Sequence, residues 1–415
     1  MASERGKPTQ PSHDPESRGD FSNDCRAAAS ALKTALLELY AAVGADGTRP
    51  QEVSRRFSLD KNLTWKIAKL LQSEDALEAA PFIPGSEGLD ILFRAMRPIA
   101  PTGILVRVED AAREFARMVE LHAGDRPTFE LLLDSTTRVR NFEISRKLAF
   151  RGNSGVWGLQ ARVRLTAHFL APSPSLPDRL DFGLVAGLVG LRRLRAVADW
   201  PLFRFVSYND DGSLRKDIGG RQPIEDSPEG SWLMPSFCSP PNPPLVASEH
   251  DNAVTYRLGD GPVGRTGEIS CFFGLFEAGV ASRYATPEDQ FGEISSVITL
   301  PIETLLFDLF VHRSLVEAHD PEVCVFGRPS GSLTPDPADR GTQRLPITET
   351  LQDVTGTPPQ VATPLIPSYD EIIARTFQRA RWDPLDFVAR RLVLSYPPMP
   401  STVVLRHRLP ERPRS

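Results

Sequence analysis

The sequence predicts an α+β protein: an all-helical N-terminal domain followed by a large β-rich region with long proline-rich loops. Three observations lead there. Up to about residue 150, apolar residues recur at the three-to-four spacing of an amphipathic helix. Beyond Arg151 the pattern switches to the alternation of a strand. Proline makes up 38 of 415 residues, too many for a bundle of helices with short loops, because proline breaks helix interiors and central strands. With 40% hydrophobic and 24% charged residues, the chain has the apolar material for true cores.

Residues 1–22 are polar, lack an apolar h-region and read as a disordered tail. Residues 23–100 form the first helical domain. From Asp24, Leu32, Leu36, Leu39/Tyr40 and Val43 fall on one face, and Gly44 stands where a C-terminal cap belongs. Further helices are expected at about 50–57, 60–73 and 87–97. Residues 101–150 are a helical connector or dimerisation segment. Its helix at about 109–123 carries Val108, Ala112, Phe115, Val119 and His122 on one stripe and is stopped by Gly124 and Pro127.

Residues 151–405 form the β-rich α+β domain, entered through Arg151-Gly-Asn-Ser-Gly155. The stretch from Trp157 to Phe169 alternates, with Leu159, Ala161, Val163, Leu165 and Ala167 on one face and Gln160, Arg162, Arg164 and Thr166 on the other. Leu180–Leu191 is too short to span a bilayer and reads as a buried strand pair or a core helix. Its Gly183, Gly187 and Gly190 point to close packing rather than to a phosphate cradle. Further strands are expected at 202–208, 253–258, 269–276, 297–300, 305–312, 322–326, 392–396 and 403–406. Asp211-Gly212 and Asp260-Gly261 are hairpin-turn signals. Ser368-Tyr-Asp-Glu371 is a capping-box pattern opening a helix to about Ala380. Two connectors, 223–244 and 329–367, hold seven and eight prolines. Residues 406–415 read as a basic tail.

Charge and motifs narrow the function classes. A net charge of −5 excludes a polycation that coats nucleic acid, but not a local basic element. Cys25, Cys238, Cys271 and Cys324 are far apart without any CxxC, which fits a reducing cytoplasm and no zinc ribbon. His312 and His319 lie seven apart and do not have zinc-ligand spacing. No GxSxG, GxxxxGK[ST], HExxH or GxGxxG occurs, so no catalytic residue, metal or cofactor is expected.

One segment carries chemistry. In residues 49–72 there are six basic and two acidic side chains, and three of the chain's seven lysines stand at 61, 66 and 69. A general preference for arginine (41 residues) does not explain that clustering. Pro50 suits a first helical position, Val53 and Phe57 an inner face, and small Ser54 a close helix approach. Ser58-Leu59 would turn the chain, and Asp60 would cap the next helix. That helix would bury Leu63, Ile67 and Leu70/Leu71 and present Lys61, Asn62, Trp65, Lys66 and Lys69. These residues resemble the helix-turn-helix of MarR-like and IclR-like bacterial transcription regulators, over about residues 24–80. The resemblance implies binding of double-stranded DNA through Lys61, Asn62, Trp65, Lys66 and Lys69, with Arg55 and Arg56 beside them, in a homo-oligomer. The β-rich region would then sense a ligand or assemble subunits. Two other readings stand beside this one: a structural or assembly protein whose proline-rich loops reach a protein partner, and an enzyme with its site in the β-rich region. No membrane partner is expected.

Overall fold

The computed structural model describes residues 20–136, 142–205, 220–226, 231–250, 253–287, 290–327 and 341–413. Helices fill the N-terminal part and strands the C-terminal part, and the chain divides into two compact units, 1–141 and 142–415. The expected tail, residues 1–19 of it, and the Asp211-Gly212 turn lie outside the described residues. Among the described residues, no helix is long and apolar enough to cross a membrane.

The N-terminal unit holds seven helices among its described residues: α1 (Phe21–Ala42), α2 (Pro50–Phe57), α3 (Lys61–Gln72), α4 (Ala76–Ala79), α5 (Ser86–Met96), α6 (Thr102–His122) and α7 (Arg126–Thr136). The Asp20 side chain caps α1 by accepting from Ser22 N at 3.2 Å. Leu32, Leu36 and Leu39 of α1, Ile67 and Leu70 of α3, Leu92 and Met96 of α5, Val108 and Phe115 of α6 and Phe129 of α7 share one apolar core. His122, at the end of α6, bonds Asp24 through Nε2 at 2.9 Å and so ties α6 to the start of α1. No strand occurs among the described residues of this unit.

The second unit opens with α8 (Phe142–Trp157), so Trp157 ends a helix rather than starting a strand. Gly158, at φ +74°, makes the reversal into β1 (Leu159–Pro172). The remaining strands are β2 (Arg179–Arg193), β3 (Trp200–Phe205), β4 (Arg221–Pro223), β5 (Leu245–His250), β6 (Ala253–Leu258), β7 (Ile269–Ser282), β8 (Phe291–Ile298), β9 (Ile302–His312), β10 (Glu322–Phe326), β11 (Arg344–Leu345), β12 (Gln352–Val354), β13 (Phe387–Ser395) and β14 (Ser401–Arg408). One helix, α9 (Tyr369–Ala380), lies between β12 and β13. They build a seven-stranded sheet in the order β12-β13-β9-β1-β2-β7-β4, a four-stranded sheet β11-β10-β14-β8 and a three-stranded sheet β3-β6-β5. Among the described residues, only β1 and β9 pair in parallel.

Both faces of the large sheet are covered. On one, Val163, Leu165, Ala167, Phe169, Leu306 and Phe310 pack with Ile372, Ile373 and Phe377 of α9. On the other, Leu305, Phe307 and Leu309 pack with Phe203, Tyr256, Val403 and Leu405 of the smaller sheets. The alternation read in β1 therefore does not separate core from solvent: Arg164 and Thr166, on its polar face, are buried, and so is His168.

Several expectations are corrected. Leu180–Leu191 lies within one long strand, β2, antiparallel to β1, and is neither a strand pair nor a helix. Its Gly187 does mark close packing, since a Cβ there would sit 2.4 Å from the Phe272 ring. Asp260-Gly261 links β6 to β7, which belong to different sheets, so it closes no hairpin. Ser368 precedes α9 in a left-handed conformation and makes no side-chain cap, so the capping-box pattern is not realised. The basic tail is in its first part strand: β14 runs to Arg408, Arg406 pairs with Glu293 at 3.3 Å, and Arg412 bonds Asp178.

The described parts of the proline-rich connectors are not free arms. Along the edge of β7, Ile224 N donates to Gly274 O, Gly274 N to Trp232 O and Met234 N to Phe272 O, at 2.8–3.0 Å. Residues between the prolines supply the N–H groups that proline lacks. Val361 and Ile366 of the second connector are buried in the core beneath α9.

Candidate nucleic-acid interface

The site grows from the junction of α2 and α3. Pro50 opens α2, where its missing N–H is not needed. Ser58 turns the chain in a left-handed conformation (φ 55°), and its neighbour Leu59 is buried. Ser54 is small enough to be buried at the crossing, and its hydroxyl donates to Leu59 O at 2.7 Å, locking the turn. Asp60 then caps α3, accepting from Asn62 N at 2.8 Å and Leu63 N at 3.2 Å. Thr64, Ile67, Ala68, Leu70 and Leu71 face the core, and Lys33 of α1 braces the far end by donating to Ser73 O.

With that face inward, α3 presents Lys61, Asn62, Trp65, Lys66 and Lys69 to solvent. Trp65 is 48% exposed, its ring edge-on to Phe82 at 5.9 Å, and Lys69 Nζ lies 5.9 Å from its centroid. Nearby acids are engaged elsewhere: Asp60 in its cap, Glu52 with Arg49 at 3.2 Å, Asp75 with Arg26 at 3.9 Å. Among the described residues, Lys61, Lys66, Lys69 and Arg55 have no carboxylate partner. Arg55 is exposed on the last turn of α2.

Arg56 differs from its neighbours. Its guanidinium donates to Gly44 O at 2.6 Å and Val43 O at 2.8 Å, satisfying carbonyls at the end of α1. Two of its five N–H donors clasp the end of α1, while the side chain remains exposed. Its partners lie 12 and 13 residues away, and no local pattern announces them.

The strand-rich unit holds polar groups that the sequence reading did not single out. Asp308 on β9 is fully buried; Arg391 of β13 grips it with two donors at 2.9 and 2.7 Å, and the Tyr369 hydroxyl donates at 2.8 Å. Burial pushes the Asp308 carboxyl upward, against the pull of Arg391 and Tyr369. The cluster pins β9, β13 and α9 together, with every acceptor occupied by the chain's own donors. On the opposite face, Thr166 and Ser296 hydroxyls bond at 2.7 Å, and His168 Nε2 meets Ser295 O at 3.3 Å. A carbonyl only accepts, so Nε2 carries the proton. Burial lowers the His168 pKa to about 4, leaving the ring neutral at pH 7. His312 Nδ1 bonds Ser314, and His319 Nε2 faces His312 O at 3.5 Å, so the two histidines do not converge. No cluster of three metal-ligating side chains occurs among the described residues.

No protein-family model matches the chain, and no curated protein matches it.

Proposed function

We propose that the protein is a DNA-binding transcription regulator whose α2–α3 pair is a helix-turn-helix, with α3 as the reading helix. The observation that carries this reading is the outward face of α3, where three lysines, an asparagine and a half-exposed tryptophan stand together without a carboxylate partner. Lysines neutralise phosphates, and Asn62, near the start of the helix, suits hydrogen bonding to a base edge. The turn and the apolar core behind α3 hold its backbone in place, so the ordering cost of binding falls on the lysine side chains. One short helix covers few base pairs, so the reading includes a cytoplasmic homo-oligomer that presents two such helices. The strand-rich unit then serves to sense a ligand or to assemble subunits.

The test is fluorescence anisotropy of labelled duplex fragments from the source genome, titrated with full-length protein. The triple variant Lys61→Glu/Lys66→Glu/Lys69→Glu should lose binding by at least about 100-fold, since each reversal replaces an attraction with a repulsion. Equal binding by this variant and the parent protein would sink the reading.

A further inference from the structure

We propose that Cys238 and Cys271 form a redox-modification site: a cross-strand dithiol that hydrogen peroxide closes to a disulfide. This rests on the strand-rich unit alone and is independent of the DNA-binding reading.

The backbone register brings the two residues onto adjoining chain segments. Ser239 N donates to Ser270 O, and Ser270 N to Ser239 O, both at 2.8 Å, which makes Ser239 and Ser270 a hydrogen-bonded antiparallel pair. Cys238 and Cys271 each stand one residue from this isolated bridge; Cys238 N turns back to Pro235 O, and its Sγ donates to Met234 O at 3.2 Å, so the facing of the two cysteines is part of the proposal. Facing non-hydrogen-bonded positions bring Cα atoms to about 4.5 Å with both side chains on one face. A disulfide requires roughly 4.4–6.8 Å. The sulfur is already drawn toward β7: Phe272 N, next after Cys271, donates to Cys238 Sγ at 3.4 Å. Both side chains enter the same apolar core. Within the same unit Cys324 does not compete, because it lies on β10 of another sheet and packs in a separate small cluster with Phe326 and Val404.

Beside Cys271 stands an unusual cation. Arg164 is buried, acts electrostatically on the Cys271 sulfur and has no carboxylate partner among the described residues. Its Nη1 has no hydrogen-bond partner, and its guanidinium lies over the Phe203 ring at 4.6 Å. A buried, unpaired cation is costly, and the negative charge that appears on Cys271 during thiol chemistry would offset that cost. Burial pushes the Cys238 thiol up to about 11 and the Cys271 thiol higher still, while Arg164 pulls Cys271 back. At rest both are protonated thiols of low reactivity. Cys238 is 8% exposed and Cys271 fully buried, so the oxidant meets Cys238 first.

The chemistry balances. Cys238 gives up its proton and attacks one peroxide oxygen as the thiolate; an S–O bond forms, the O–O bond breaks, and the departing hydroxide takes the proton as water, leaving Cys238 sulfenic acid. Cys271 then gives up its proton and attacks Cys238 Sγ. The S–S bond forms, the S–O bond breaks, and the departing hydroxide takes the proton as water. Two thiols are oxidised by two electrons, and one peroxide is reduced to two waters. The product ties residues 231–244 covalently to β7. An excess of a small thiol reverses it by exchange.

The experiment treats the full-length protein with hydrogen peroxide, denatures it in an alkylating agent and maps its peptides by mass spectrometry. The expected result is a joined Cys238–Cys271 peptide, a chain lighter by about 2 Da, two of the four cysteines protected from alkylation, and full reversal by dithiothreitol. Cys271→Ala should leave Cys238 as a sulfenic acid that dimedone traps, and Arg164→Met should close the bridge several-fold more slowly. Full alkylation of both cysteines, or a bridge between other cysteines, would overturn the proposal, whether or not the variants fold. An unchanged closure rate in Arg164→Met would overturn the role given to Arg164.

Discussion

The two units use their polar residues in opposite ways. In the N-terminal unit the only buried polar side chains are Ser54 and Thr64 among the described residues, and its charges face water. The strand-rich unit buries Arg146, Arg164, His168, Asp181, Arg193, Glu277 and Asp308. An apolar core behind an outward basic face leaves substitutions on that face few contacts to break. A core that buries charged and polar groups is specified by polar geometry, and it is sensitive wherever the partner of a buried pair such as Asp308–Arg391 is lost. Charge substitutions should therefore act on stability in one unit and on binding in the other.

The largest test of that contrast is Asp308→Ala, which leaves Arg391 and the Tyr369 hydroxyl without their acceptor. Denaturant unfolding should show a loss of about 3–5 kcal/mol in the strand-rich unit. Lys61→Glu or Lys66→Glu should stay within about 0.5 kcal/mol of the parent. Similar losses from the two kinds of substitution would dissolve the contrast.

Next in size is a pH effect confined to the strand-rich unit. His168 binds its proton at about pH 4 in the folded chain, against an ordinary value of 6.5. Between those values the unfolded state holds more protons, so stability is full above 6.5 and falls as the pH drops towards 4. The loss is on the order of 3 kcal/mol across that window. In His168→Gln the fall over the same range should be shallower; an identical slope would remove His168 as its source.

These tests also separate what was legible in the sequence from what was not. The α2–α3 pair could be read because its signals are local: Pro50 at the first helical position, Asp60 as cap, and apolar Leu63, Ile67 and Leu70 at helix spacing. Arg56 is an exposed cation as read, but its bonds to Val43 O and Gly44 O were not legible, because those carbonyls are brought to it only by folding. The burial of Arg164 and Thr166 was illegible for the same reason. Alternation reports two faces, but whether the polar one is covered depends on β8 and β3, and Ser296 is 132 residues from Arg164. The connector prolines pointed to arms, whereas pairing with β7 across more than thirty residues places the described part of the first on the sheet edge. Cys238 and Cys271 look unrelated by spacing, and only the bridge between Ser239 and Ser270 brings their segments together.

A smaller effect sharpens the N-terminal side. Asp60→Ala removes the cap of α3 and should cost about 1 kcal/mol in thermal or denaturant unfolding. Asp60→Asn should retain most of it, since the amide oxygen still accepts from Asn62 N and Leu63 N. A loss as large in Asn as in Ala would mean that the carboxylate acts by charge rather than as a cap.

The central claim is that the outward face of α3 engages DNA phosphates, and the salt dependence of binding tests it most directly. For the parent protein, log Kobs should fall linearly with log salt concentration. Changing Lys61, Lys66 or Lys69 singly to Ala should reduce that slope by about 1 for each lysine. Binding that is absent, or whose salt slope is the same with and without these lysines, would contradict the account.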